Sequence, residues 1–166
     1  MHVHLLHIPK TGGITLHRAL QAAGVEITRS HNPSDAEPWI TSGLVIMLLR
    51  DPLARIWSAY CYTKRKGMFE GTLRDFILAD HDPWWWGACN VQARMFRPGV
   101  LWCMTHDLDR MVRHVCMITG KPYPEGYEYH GKNTGPEYTL AELALLQGAV
   151  RGDRFVYNIG YGKDRQ

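Results

Sequence analysis

The sequence predicts an α/β fold in which a parallel sheet is flanked by helices on both faces. Three observations point there. The runs Val3 to Ile8 and Leu44 to Leu49 are almost continuously apolar, as strands covered on both sides are. Each is followed by a turn signal and then by apolar residues at helical spacing. Strands alternating with helices in this way build crossover units, and crossover units build parallel sheets.

At 166 residues the chain is expected to form one domain, 1–166, with a core of ordinary size. Apolar residues make up 45% and charged residues 21%, a globular balance that argues against a disordered chain. The net charge of +3 suits an anionic ligand but is too small for a nucleic-acid surface, so no nucleic-acid partner is expected. Cys61, Cys89, Cys103 and Cys116 form no CxxC pair and read as reduced thiols. The first residues enter a strand at once, so the expectation is a cytoplasmic protein with no targeting segment. No apolar run approaches the ~20 residues of a membrane helix, and no membrane partner is expected. Composition does not reveal an oligomeric state.

In chain order, Val3 to Ile8 is the first strand. His2 and His4 share one of its faces by the two-residue period. A metal site would need further ligands that nothing nearby supplies, so no metal is expected. Next comes His7-Ile8-Pro9-Lys10-Thr11-Gly12-Gly13-Ile14-Thr15-Leu16. A strand, a glycine turn and a helix start together make an anion site. Glycines let the backbone approach, the first helical N–H groups point outward, and the helix dipole favours negative charge. Lys10 adds a full charge, and Thr11 and Thr15 add hydroxyls. The order is not Walker A, because the lysine precedes the glycines. Taken alone, these residues admit a second reading, a tight turn carrying a solvated lysine. The helix runs through Leu16, Ala19, Leu20 and Ala23 and stops at Gly24.

Val25 to Thr28 is the expected second strand, leading into the polar loop Arg29-Ser30-His31-Asn32-Pro33. Ligands of parallel sheets gather beyond the carboxyl ends of the strands. His31 is the loop's one side chain suited to proton transfer near neutrality, although position alone fits a solvated histidine equally. Gly43 to Leu49 reads as a central strand ending in Arg50-Asp51-Pro52. Asp51 is a good N-cap and Pro52 a good first helical residue. Arg55 and Ser58 share a helix face, and an arginine with a nearby hydroxyl can clamp a phosphate. The alternative for the arginine is a salt bridge to Asp51 or a cap on a helix end. Lys64-Arg65-Lys66 suits a solvated helix end. The first and third strands are expected to be neighbours, with Lys10 and Arg50 leaving one edge of the sheet.

Read together and in order, His-Ile-Pro-Lys-Thr-Gly-Gly and Leu-Arg-Asp-Pro-Leu-Ala-Arg-Ile-Trp-Ser-Ala-Tyr resemble the PAPS-dependent sulfotransferases. The nearest likeness is to the carbohydrate-type and small bacterial branches. PAPS is 3′-phosphoadenosine 5′-phosphosulfate. The resemblance implies a single P-loop-like domain that moves a sulfuryl group from PAPS to an acceptor hydroxyl, carbohydrate being one possibility, and releases PAP. It implies a 5′-phosphosulfate loop at Lys10, Thr11, Gly12, Gly13 and Thr15, and a 3′-phosphate site at Arg50 and Ser58. Lys10 and His31 take the catalytic places, the lysine at the bridging oxygen and the histidine as base, with no metal. Asn90-Val91-Gln92-Ala93-Arg94 is similar to a family segment near the nucleotide, and Lys132-Asn133-Thr134 to an asparagine-containing loop. The chain departs from the pattern at Ile14, where many members carry Thr or Ser, and at Met104-Thr105-His106, where a glutamate often follows a Leu-Thr pair. Two other readings compete. One is a non-catalytic nucleotide-binding module of the same fold. The other is a P-loop-like kinase, opposed by the missing Walker A order and the scarcity of acidic metal ligands.

The remaining elements follow from pattern. Thr72 to Ala79 is a short helix with Thr72 and Asp75 as a capping pair. The aromatic faces of Trp84-Trp85-Trp86 either line an acceptor pocket or cover loops. Val100 to Thr105 is a strand. Leu108, Met111, Val112, Val115 and Cys116 mark one helix face ending at Gly120. Thr139 and Glu142 form a capping box for a helix with Leu140, Leu143 and Leu146 inward. Phe155 to Tyr157 is expected to close the chain against the core.

Overall fold

The computed structural model describes residues 1–79, 91–127 and 139–163. The elements run β1 (Val3–Leu6), α1 (Gly13–Ala22), β2 (Ile27–Ser30), α2 (Glu37–Ser42), β3 (Leu44–Leu49), α3 (Pro52–Arg65), α4 (Leu73–Leu78), α5 (Val91–Met95), β4 (Leu101–Met104), α6 (Leu108–Thr119), α7 (Leu140–Ala149) and α8 (Arg151–Lys163). They fall into two compact units, Met1–Leu49 with Met95–Lys132, and Arg50–Arg94 with Asn133–Gln166. The expected tryptophan stretch 84–86, Cys89, Asn90 and the loop 132–134 lie outside the described residues.

The first unit holds a four-stranded sheet in the order β2-β1-β3-β4. Every pairing is parallel, as expected from the alternation of strands and helices. β1 and β3 are neighbours, with Val3 opposite Leu44 and Leu6 opposite Met47. The chain therefore leaves β1 toward the glycine turn, and β3 toward Arg50, from the same carboxyl edge. Alternation sorts the side chains between faces. Val3, Leu5, Ile46 and Leu48 pack with Leu16, Ala19 and Leu20 of α1 and with Met111, Val112 and Val115 of α6. Full burial of each large side chain is worth about 1.5–3 kcal/mol, which makes this layer the anchor for both helices. On the opposite face, His2 and His4 stack on Trp39 of α2.

Two features of this unit differ from the pattern reading. β2 begins two residues later than Val25, because the Val25 N–H donates to Leu20 O at the end of α1 instead of joining the sheet. Val25 itself is buried in the core, so its apolar character reflects packing under the connection. A 3₁₀ turn, Pro33–Ala36, and α2 follow β2, with the Asn32 side chain accepting from Ser34 N–H. At four and six residues these helices are too short to leave a periodic signal.

The second unit is helical. Ile56, Ala59 and Tyr60 of α3, Leu73 and Phe76 of α4, Leu146 of α7 and Val150 form its core. Both capping boxes form as expected, Thr72 with Asp75 and Thr139 with Glu142. Two expectations fail. Leu140 is 87% exposed, because it opens α7 and only Leu146, almost two turns on, reaches the core. Phe155 is likewise exposed: α8 turns Asp153 inward, two residues before it, and an ion pair holds that position. Among the described residues, no helix is long and apolar enough to cross a membrane.

Candidate functional site

The turn after β1 is shaped by its backbone. Lys10 has φ 69° and Gly12 φ 87°, while Thr11 between them does not have positive φ. Such an alternation of hand is the backbone pattern from which anion-binding nests are built. Holding a lysine in the left-handed region costs about 1–2 kcal/mol, a strain the surrounding contacts must offset. Gly12 is the N-cap of α1 and provides no side-chain cap, and the first turn of α1 contains no acidic residue. No capping side chain or acid of α1 itself therefore opposes a negative group at this helix start. Gly13 is required for a different reason. A Cβ there would lie 2.2 Å from His7 Cδ2, so the absence of a side chain lets the imidazole rest on the first helical residue.

The predicted loop residues divide by role. Lys10 and Thr15 are half-buried, and Thr11 is buried. The Thr11 hydroxyl donates to Ile8 O at 2.8 Å, so it closes the turn, and Thr11 offers a ligand its backbone. Tyr127 donates to Thr15 O at 3.3 Å. Ile14, the second residue of α1, is 42% exposed. Thr105 was not legible as part of this turn. Its hydroxyl lies 2.7 Å from Thr11 O and 2.9 Å from Leu49 O, tying the turn to the end of β3, and its Cγ2 flanks the space above Gly12. The available signal was a threonine directly after a strand that pairs with β3.

His31 lies beside this turn. Its Nδ1 is 2.7 Å from the carbonyl oxygen of His7. A carbonyl can only accept, so Nδ1 carries the proton and Nε2 of the neutral ring is the lone-pair nitrogen. Among the described residues Nε2 meets no hydrogen-bond partner, and the residue is exposed. The His7 ring packs against it, with centroids 4.6 Å apart. His7 is buried and its Nδ1 has no partner among the described residues. Burial first, then the neighbouring His31, Arg29, His17 and Lys10, push its pKa down to about 3. His7 is therefore neutral at physiological pH.

His2 and His4 are structural. His2 Nε2 and His4 Nδ1 both lie 2.9 Å from Thr28 Oγ1, and His4 Nε2 lies 3.0 Å from Ser30 Oγ. Among the described residues no group of three or more His, Cys, Asp or Glu is arranged to hold a metal.

In the second unit, the junction before α3 is built from side chains. Asp51 Oδ1 accepts from Ala54 N–H at 2.8 Å, and Pro52 opens the helix. Arg50 is half-buried and Ser58 buried. Gln92 grips the main chain of Arg50 at two points. Arg50 N–H donates to Gln92 Oε1 at 2.7 Å, and Gln92 Nε2 donates to Arg50 O at 2.9 Å. Asp153 supports this arrangement, accepting from Ala93 N–H at 2.9 Å and lying 3.6 Å from Arg55 Nε. Arg55 and Asp153 are both fully buried. Burial outweighs the arginine and the hydrogen bonds, so the Asp153 carboxyl sits above its ordinary pKa. Arg55, one turn from Ser58, thus pairs with Asp153.

Comparison with family models, with curated proteins and with solved structures found no match to this chain.

Proposed function

We propose that this chain is a sulfotransferase that moves a sulfuryl group from PAPS to the hydroxyl of an acceptor such as a carbohydrate, releasing PAP. The observation that carries the reading is the start of α1. It has a left-handed glycine cap, no capping side chain and no acid, and it follows directly on Lys10. That is a fitting cradle for a 5′-phosphate or phosphosulfate. The resemblance of the two sequence motifs, each at a strand-to-helix junction, to those of PAPS-dependent sulfotransferases supports a 3′-phosphorylated adenylate as the anion.

PAPS, when bound, supplies an activated sulfuryl group on a good leaving group. Lys10 and the N–H groups at the start of α1 hold the 5′-phosphate and stabilise the charge that grows on its bridging oxygen. His31 accepts the acceptor's proton at Nε2, with Nδ1 held by the His7 carbonyl. Thr11 keeps the turn closed, and Gly12 and Gly13 let the ligand approach. Thr15, in the first turn of α1, offers a hydroxyl. Arg50 and Ser58 bind the 3′-phosphate. Metal has no role in this scheme.

Isothermal titration with PAP and with adenosine 5′-phosphate (AMP), which differ only in the 3′-phosphate, tests the reading. Wild type is expected to prefer PAP with or without magnesium. Arg50→Ala is expected to weaken PAP roughly tenfold to a hundredfold, the range for losing a charge-assisted hydrogen bond of about 1.5–3 kcal/mol, and to leave AMP unchanged. Equal affinity of wild type for the two nucleotides would remove the PAPS assignment. A non-catalytic module is the second reading, favoured by the exposed Ile14 at a position suited to a hydroxyl donor. Sulfate transfer from PAPS to any member of a hydroxyl acceptor panel eliminates it.

A further inference from the structure

We infer that Gln92 is a positioning residue for recognition of the 3′-phosphate, because its buried amide fixes the main chain of Arg50 and so aims the guanidinium. This rests on the sulfotransferase reading and deepens it.

Arg50 lies between two regular elements. The paired residues of β3 end with Leu49 opposite Met104, and α3 begins at Pro52. Arg50 itself belongs to neither element. The Gln92 side chain binds both main-chain groups of Arg50. In an extended residue, N–H and C=O point to the same side, and a primary amide presents an acceptor and a donor at matching spacing. The bonds of 2.7 and 2.9 Å make Gln92 a stand-in for the peptide group of a neighbouring strand, continuing the pairing by one residue. Forty-two positions separate the partners, so the clamp is tertiary.

The clamp is itself held. Gln92 is 1% exposed. The next N–H, that of Ala93, is bound by Asp153, and the remaining Gln92 amide proton points toward Asp153 Oδ2 at 3.5 Å. Asp153 is fixed in turn by Arg55 from within α3. A buried polar network of this kind is costly unless every member is satisfied, and its output is one main-chain orientation. An apolar residue of the same volume would pack more simply. The orientation matters because Arg50 carries the guanidinium proposed to read the 3′-phosphate, and a planar fork binds a phosphate well only when aimed. Asparagine is too short to reach both groups, and glutamate has no proton for Arg50 O.

The test is titration of the full chain with PAP and AMP in wild type, Gln92→Met and Gln92→Asn, after thermal melts show which variants fold. Met keeps the volume and removes both bonds, while Asn keeps the polarity and shortens the reach, so one variant remains informative if the other does not fold. A folded variant is expected to bind PAP about tenfold more weakly, the effect of one hydrogen bond's worth of misalignment, with AMP unchanged. A general structural role would weaken both nucleotides together or leave both alone, and either result overturns the inference. Wild type without a preference for PAP defeats the sulfotransferase reading and this inference with it. A wild-type preference that the folded variants retain defeats the inference alone.

Discussion

At the β1–α1 turn the helix begins without a side-chain cap, whereas at the β3–α3 junction side chains bind the backbone of Arg50 and the N–H of Ala54. The first junction is made by conformation. Residues 10 and 12 have positive φ, and a glycine at 13 lies against the His7 ring. The second is made by partners, with Asp51 on Ala54 N–H and Gln92 on both groups of Arg50. In the proposed mechanism the contrast separates two ways of meeting an anion. A backbone nest must be left uncapped so that the ligand completes it. An arginine reads an anion with its side chain, so its own backbone is best fully satisfied and immobile.

The largest test of this contrast falls on His31. In the proposed mechanism it removes a proton in the transition state and contributes nothing to the bare nest. His31→Ala should lower turnover by roughly two to four orders of magnitude and leave PAP affinity near wild type. Steady-state kinetics at saturating PAPS, with titration of PAP, provide both readouts. Parallel losses in rate and affinity would make His31 part of the nest's support, acting through its bond to His7 O, and would move the base elsewhere.

His7 sharpens the same comparison through pH. Its pKa falls from an unfolded value near 6.5 to about 3 in the fold, so the folded state binds fewer protons than the unfolded state between those values. The stability is fully present above the unfolded pKa and is lost as pH falls toward the folded one. At pH 5 the loss is about 2 kcal/mol. His7→Phe keeps a flat ring against Gly13 and cannot be protonated. Urea melts at pH 7 and pH 5 should show wild type losing more stability than the variant. His4 and His17 are also shifted downward, and their acid sensitivity stays in both proteins. Identical acid sensitivity of the two proteins would mean that His7 is not the buried, neutral imidazole described above.

The backbone-coded junction was the more legible in sequence. Two glycines between a strand and a helix announce a close approach, and Lys10, Thr11, Gly12, Gly13 and Thr15 all fall in that turn or the first turn of α1. The local part of the other junction was also legible, since Asp51-Pro52 signals a cap and a first helical residue within three positions. The pairings that support these junctions were not legible, although the resemblance had marked the segment that contains Gln92. Thr105 lies 94 residues from Thr11, and Gln92 is 42 from Arg50; no local pattern encodes such a pairing. Arg55 read as a companion of Ser58 because they share a helix face. Its partner Asp153 sits on α8, far along the chain, where no local pattern links the two. Leu140 failed for a related reason: period assigns a face but does not say how far along the helix the neighbouring core extends.

A smaller effect is expected at Gly12. Ala at this position must adopt φ 87° and place a Cβ 3.3 Å from Thr105 Cγ2. The backbone term alone is about 1–2 kcal/mol. Thermal or urea melts of Gly12→Ala should show a loss of that size, together with weaker binding of both PAP and AMP, since a shifted nest meets the 5′-phosphate they share. Normal stability with selective loss of PAP would place Gly12 at the 3′-phosphate and invert the assignment of the two junctions.

The smallest effect is predicted for Asp51, and it separates the two kinds of support within one junction. Its carboxylate caps α3 through Ala54 N–H, and removing an N-cap of this type costs about 1 kcal/mol. Asp51→Ala should therefore lower the urea midpoint modestly, and Asp51→Ser should recover most of the loss, because a hydroxyl also caps. Neither change touches the Gln92 bonds to Arg50, so the preference for PAP over AMP should survive in both variants. Titration of the two nucleotides into Asp51→Ala decides the point. If the preference disappears as fully as in Arg50→Ala, the helix cap orients the arginine and the Gln92 clamp does not. If it survives while Gln92→Met loses it, capping and aiming are separate tasks performed by neighbouring side chains.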